Sequence, residues 1–480
     1  MNDRKGFGSN FGFLMAAVGS AVGLGNIWGF PNKMGANGGF PFLILYLALA
    51  LCCGVIIMLG ELALGRKTGH GAVGAYQSIS KRFKWLGWLG IAAAALIFSF
   101  YSALGGYCLR YVVVNFGNLI GAEFGTNGVG GADVFQGLLS QPDVSIAFAL
   151  AFMLITMLVV MCGVGGGIER VCSVGMPALF FILIICIIRS CTLPGAADGL
   201  KYMFVPGWAV ANGIIEEAPN FLTVLSTAGG QMFFSLSLGM GIMITYGSYL
   251  DKKQDLGKST MIIVGMDTVV ALMAGLCVIP GRFALDPNGA LGGPELLFIT
   301  MQNVFDKMGP AGPVFGILFY LLVFFAAISS SISMLEVIVA HFCDKAREKG
   351  KGDRRKLYSA IAVVICAALC ALVCADGMGS NHISPAELLG LAGAKLPGWS
   401  TSWLGLFDSV AEGLLMPLGA LLMCLMISWE LKPDALRQEI LLNGENRPWV
   451  YDFFRLCVKY ITPLCMLMIL YGQISDFFIA

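Results

Sequence analysis

Apolar residues run through this chain in long unbroken stretches, separated by short polar segments rather than alternating or forming a one-sided stripe. Eleven stretches read as apolar helices: 11–35, 39–64, 86–118, 146–163, 166–191, 225–250, 257–281, 312–343, 356–375, 401–429 and 454–478. A bilayer crossing takes about 20 mostly apolar residues, and a helix apolar all round is buried in protein or lipid. The pattern predicts an all-α integral membrane protein with eleven transmembrane helices in one domain, 1–480. Composition agrees, since 57% of the 480 residues are hydrophobic and only 12% are charged, about half of the roughly 25% charged residues in ordinary globular proteins. So few charges do not cover a water-facing surface, and the lipid bilayer is the expected surrounding. A net charge of +1 also argues against nucleic-acid binding, which needs clustered Lys and Arg.

Charge placement sets the expected orientation. With the N-terminus inside, most Lys and Arg fall in cytoplasmic segments, including Arg4, Lys5, Arg66, Lys67, Lys252, Lys253 and the run from Lys345 to Lys356. Lys33, Lys201, Arg282, Lys307 and Lys395 are left outside, and Arg110 and Arg189 lie within helices. This positive-inside bias, with an odd number of spans, places the C-terminus outside a bacterial cytoplasmic (inner) membrane. The first apolar stretch is not expected to be a cleaved signal peptide, because Gly19, Gly23, Gly25 and Pro31 lead straight into further apolar sequence. Cysteines such as Cys366, Cys370 and Cys374 recur inside apolar runs without metal spacing, and read as small packing residues. His70, His341 and His382 belong to no catalytic motif, so the chain is not expected to be an enzyme.

Function is sought where membrane rules are broken, because open backbone groups in hydrocarbon cost several kcal/mol each. The first span carries Gly19, Gly23 and Gly25 in its middle, followed by Asn26. The sixth repeats the device with Ser235, Ser237, Gly239 and Gly241. These spans open two sets of five, 11–191 and 225–429, with 454–478 after them. Interrupted helices at matching positions of two halves point to an inverted repeat with helices 1 and 6 unwound at mid-membrane, and to a secondary transporter with its site there. Asp267 in the seventh span is an ionisable residue inside the membrane, which is by default a functional candidate; Glu61 and Glu336 are further ones.

Several stretches together carry a family resemblance: the 19–31 segment, Gly60 to Arg66, Gly167 to Arg170 running on to Pro177, Ala196 to Leu200, Gln231 to Gly239, and Phe324 to Ser331. Over nearly its whole length the chain resembles bacterial amino-acid transporters of the neurotransmitter:sodium symporter family, whose fold is the reference case for paired broken helices. The resemblance implies a sodium-coupled symporter importing neutral, hydrophobic L-amino acids by alternating access. The alternative is a non-transporting, amino-acid-binding membrane sensor on the same scaffold.

The same resemblance implies site residues. One sodium ion would be held by carbonyls of Gly19, Val22 and Ala326 with the hydroxyls of Ser329 and Ser330; a triple serine can also bond back to its own helix. A second would take Ala21, Asn26, Ser235, a group on the seventh span such as Asp267, and the substrate carboxylate. That carboxylate would lie against the amides of Leu24 and Gly25, at a half-helix N-terminus, and against the Tyr101 hydroxyl. Gly23, where carriers of amines have Asp, favours substrates with their own carboxylate. Pocket walls would be Ile97, Phe234, Met240, Ser330 and Met334, with Ser20 and Ser237 as polar members. Asp267 would adjoin Tyr46, Gln231 and Ser235, in place of the anion held by chloride-dependent relatives, implying chloride independence. At the gates, Arg4 and Asp344 match the cytoplasmic pair, whereas Gly29 replaces the usual outer Arg and leaves Asp408 without its partner. Phe7 replaces a Trp, Ile56 replaces a Pro, and Gly167 with Pro177 matches a weak point in the fifth span.

Overall fold

The structure is a computed structural model, and it describes residues 6–126, 128–290, 293–352, 354–391, 397–441 and 448–478. Among these residues the regular structure is helical, with no strand. The main elements are α1 (Asn10–Ala21), α2 (Gly25–Ala36), α3 (Phe40–Thr68), α4 (Lys81–Ile120), α5 (Pro142–Met161), α6 (Val164–Cys191), α7 (Phe221–Ser235), α8 (Ile242–Gly247), α9 (Leu256–Leu285), α10 (Gly309–Glu348), α11 (Arg355–Gly379), α12 (Trp403–Leu431) and α13 (Pro448–Phe478). Nine of them are individually long and apolar enough to cross a bilayer. The pair α1 and α2, bent by 44° at its break, brings the described crossings to ten. The stretch 225–250 is divided between α7, of 15 residues, and α8, of 6 residues. At about 1.5 Å per residue, neither half reaches across about 30 Å of hydrocarbon alone.

Most helix ends lie beyond the apolar stretches that predict them. α4 starts at Lys81 and α10 runs on to Glu348, because polar residues past the hydrocarbon edge remain good helix formers. Short helices in the connections, such as Ala72–Ile79, Gly131–Leu139, Ala196–Phe204 and Asp434–Leu441, carry no long apolar run and so escape hydropathy. Burial sorts the long helices. In α4, 78% of the apolar window is buried, against 28% in α6. α4 is thus a central post, whereas α6 and α11 turn Val174, Phe181, Ile188, Val364 and Ile365 outward, as lipid-facing surfaces do. The two breaks lie against α4, α9 and α10 in the middle of this bundle.

Candidate functional site

Each break has a local cause. α1 ends at Ala21, after which Val22 turns extended, with φ −71° and ψ 104°. A Cβ on Gly23 would stand 2.2 Å from Ser330 Oγ and 2.5 Å from Tyr101 Oη, so only glycine admits both hydroxyls. α7 ends at Ser235, and the chain then passes through left-handed backbone at Ser237 (φ 54°), Gly239 (φ 76°) and Gly241 (φ 71°). Left-handed backbone is costly for a non-glycine residue. Ser237 is held there by its hydroxyl, which donates to the Ser20 carbonyl at 2.8 Å, tying one break to the other. Glu61 accepts the Gly239 amide at 2.8 Å, supplying the anionic partner that a freed helix N-terminus favours.

Beneath the first break, oxygens from α1 and α10 converge. Ser329 Oγ lies 3.3 Å from the Val22 carbonyl and 3.0 Å from that of Ala326. Ser330 Oγ lies 3.4 Å from Gly19 O, 3.1 Å from Ser20 O and 3.4 Å from Val22 O. The hydroxyls bring one proton each, while the surrounding carbonyls bring none. Buried acceptors thus outnumber donors, and an all-oxygen set of this kind fits a hard cation such as sodium. All five residues inferred for that ion come together here.

A second polar cluster surrounds Asp267, which is fully buried. Asn26 Nδ2 donates to Asp267 Oδ1 at 2.7 Å and to the Asp267 carbonyl at 3.0 Å. Ser235 donates to Oδ2 at 2.8 Å, and the Tyr46 hydroxyl lies 3.3 Å from both Oδ2 and Ser235 Oγ. One carboxylate oxygen of Asp267 faces the Asn26 amide nitrogen, and the other faces Ser235 and Tyr46. Gln231 turns elsewhere, donating to the Gly25 carbonyl at 2.6 Å.

Between these clusters is a small cavity of about 10 Å³, lined by Ala21, Gly23, Gly25, Ile97, Tyr101, Phe234, Ser237, Met240, Ser330 and Met334. That is room for about one water, so a larger guest needs its walls to move. Ser20, Leu24 and Ser235 lie outside this lining. Ser20 donates to Ser333 at 2.8 Å, and the Leu24 amide donates to the Tyr101 hydroxyl at 2.8 Å. Tyr101 and Phe234 close one side, with ring centroids 6.3 Å apart.

On one flank, Asp344 accepts the Gly71 amide at 3.2 Å, while Arg4 lies outside the described residues. Phe7 packs edge-on against Phe13, Tyr246 and Tyr249. Glu336 is fully buried and paired with Arg355, 3.1 Å from Nη2 to Oε1, and it accepts the Tyr249 hydroxyl at 2.6 Å. In the fifth span, Val164–Glu169 forms a π-helical turn and Pro177 sits inside regular helix. On the opposite flank, Lys33 is paired with Glu412. That pair was not anticipated from the sequence, although Lys33 is the one cation close after Gly29, and Glu412 follows Asp408 by four positions.

Facing helix breaks around a closed cavity and an oxygen cluster define a class, the secondary transporters built on paired discontinuous helices. Comparison with known proteins agrees. The model of the sodium:neurotransmitter symporter family matches residues 4–127 and 132–478. An uncharacterized sodium-dependent transporter of Bacillus subtilis, YhdH, is 36% identical over 477 residues, covering 97% of both chains. One from Methanocaldococcus jannaschii is 29% identical over 495 residues, covering 99% of this chain and 91% of its own. Among solved structures, MhsT in complex with L-phenylalanine superposes with a TM-score of 0.83 at 33% identity, covering 98% of this chain and all of its own. The chain belongs to the sodium:neurotransmitter symporter family and is a sodium-dependent, multi-pass membrane transporter, not an enzyme.

Proposed function

We propose that this protein imports neutral, hydrophobic L-amino acids with sodium, without chloride, by alternating access. The observation that carries the reading is the meeting of three features at the breaks: the oxygen cluster of Gly19, Val22, Ala326, Ser329 and Ser330, the Asn26–Ser235–Asp267 cluster, and an apolar cavity between them. Amino-acid carboxylate would sit at the Leu24 and Gly25 amides beside Tyr101 and add an oxygen to the second cation position with Ala21. This shared ligand makes sodium and substrate bind together, which is the physical basis of coupling. Met240 and Met334 are unbranched and adaptable, so they can retreat from a hydrophobic side chain; the L-phenylalanine in MhsT is a ligand of that kind. Asp267 carries a fixed negative charge against Tyr46 and Ser235, removing the need for a bound anion. Each positive charge entering gains about 2.3 kcal/mol per 100 mV.

In this reading 225–250 is the eleventh crossing, 11–191 and 225–429 are inverted repeats, and 454–478 follows them. The N-terminus is cytoplasmic, the C-terminus external, and the membrane is the bacterial cytoplasmic one. Uptake of labelled amino acids into proteoliposomes, with and without an inward sodium gradient, tests the proposal. Sodium-driven accumulation is expected; binding without accumulation would leave a sensor instead.

A further inference from the structure

We infer that Lys33 and Glu412 form the ion pair that closes the pocket on the side of α2 and α12. It rests on the importer reading only in taking that side as the outer one, and its geometry does not depend on that reading. Gly29 offers no side chain to Asp408, whose carboxyl instead lies within electrostatic reach of Lys33 and Glu412. Lys33, one turn further along α2, reaches back so that its Nζ lies 5.9 Å from the centroid of the Phe234 ring, the ring that lines the cavity. There it meets Glu412, one turn further along α12 than Asp408, with the lysine side chain 19% and the glutamate 8% exposed.

The pair joins three elements. Lys33 belongs to α2, Glu412 to the π-helical segment Ser409–Leu415 of α12, and the carboxylate rests on α7. A Cβ on Gly230, one helical turn before Phe234, would lie 2.7 Å from Glu412 Oε1 and 3.0 Å from Gln473 Nε2. Gly230 therefore makes room for the carboxylate. A buried, directly bonded charge pair acts mainly on the rate at which contacts open, and removing one partner leaves the other charge uncompensated.

Two readouts in sodium-loaded proteoliposomes test the pair. One is outward release of prebound labelled L-phenylalanine; the other is hydrogen–deuterium exchange of peptides covering 25–36 and 409–415 without amino acid. Lys33→Met and Glu412→Gln are expected to speed release about tenfold or more and to raise exchange in both peptides. Gly230→Ala, which displaces the carboxylate while keeping both charges, should do the same. The swap Lys33→Glu with Glu412→Lys should restore both readouts, which also shows that the variants fold. Parent-like release and exchange in the single variants would overturn the inference, as would a swap no better than the singles. If the parent binds no amino acid while exchange follows this pattern, the closing pair stands and the amino-acid reading falls.

Discussion

Ser329→Ala removes one oxygen from the cluster under the first break and leaves the scaffold nearly untouched. The hydroxyl lies on α10 between Val22 O and Ala326 O, at 3.3 and 3.0 Å, and alanine is the best helix former at such a position. An interaction between a hydroxyl and a full charge contributes about 1.5–3 kcal/mol. At about 1.4 kcal/mol per decade, half-maximal uptake should then need about 10- to 150-fold more sodium. Thermal unfolding supplies an independent scale. Sodium at about 100 times its dissociation constant stabilises the fold by about 2.7 kcal/mol, and a 30-fold weaker site would leave about 0.9 kcal/mol. The sodium-induced rise in melting temperature should therefore shrink to about a third, while the sodium-free midpoint stays where it was. Ser329→Thr keeps the oxygen and should behave as the parent does. Unchanged sodium dependence in Ser329→Ala, with a full sodium-induced shift, would refute the placing of a cation at this cluster.

Three further outcomes follow from the geometry. Replacing chloride by gluconate should leave uptake unchanged, whereas Asp267→Asn, which discharges the carboxylate facing Asn26 and Ser235, should lower uptake and make the remainder respond to chloride; uptake lost in gluconate by the parent would sink the chloride-independent reading. Tyr101→Phe removes the hydroxyl that would donate to the substrate carboxylate beside the Leu24 amide, a charged hydrogen bond of about 1.5–3 kcal/mol, so amino-acid affinity by scintillation proximity should fall about tenfold or more, and an unchanged affinity would remove Tyr101 from the site. Gly12→Ala would put a Cβ 1.8 Å from Glu169 Oε1 and push away the carboxylate that accepts Gly8 N and Ser9 Oγ at 2.7 and 2.9 Å. Loss of those two exposed bonds should outweigh the gain in helix propensity and lower stability by at most about 1 kcal/mol, read as a lower thermal midpoint, and a parent-like midpoint would show that the start of α1 relaxes freely.

Sequence alone was enough for the membrane class, for ten of the crossings and for the location of both breaks, because those properties depend on local composition. Long apolar runs demand lipid, and paired glycines in mid-run demand an open backbone. Ser329, Ser330, Asn26 and Asp267 stood out as polar residues in apolar surroundings, but their assignment to two cation positions came from the family resemblance rather than from composition. Tertiary structure decided how these groups meet. Ser329 and Val22 are far apart along the chain, and only packing of α10 on the break of α1 brings their oxygens to 3.3 Å. It split the Asp267 carboxylate between Asn26 and Tyr46, and it drew Gln231 away to Gly25. It also supplied Lys33 with Glu412 where motif reading left Asp408 without an arginine. A hydrogen bond or ion pair is set by sub-ångström distances between distant segments, and such distances belong to the packed bundle rather than to any stretch of sequence within it.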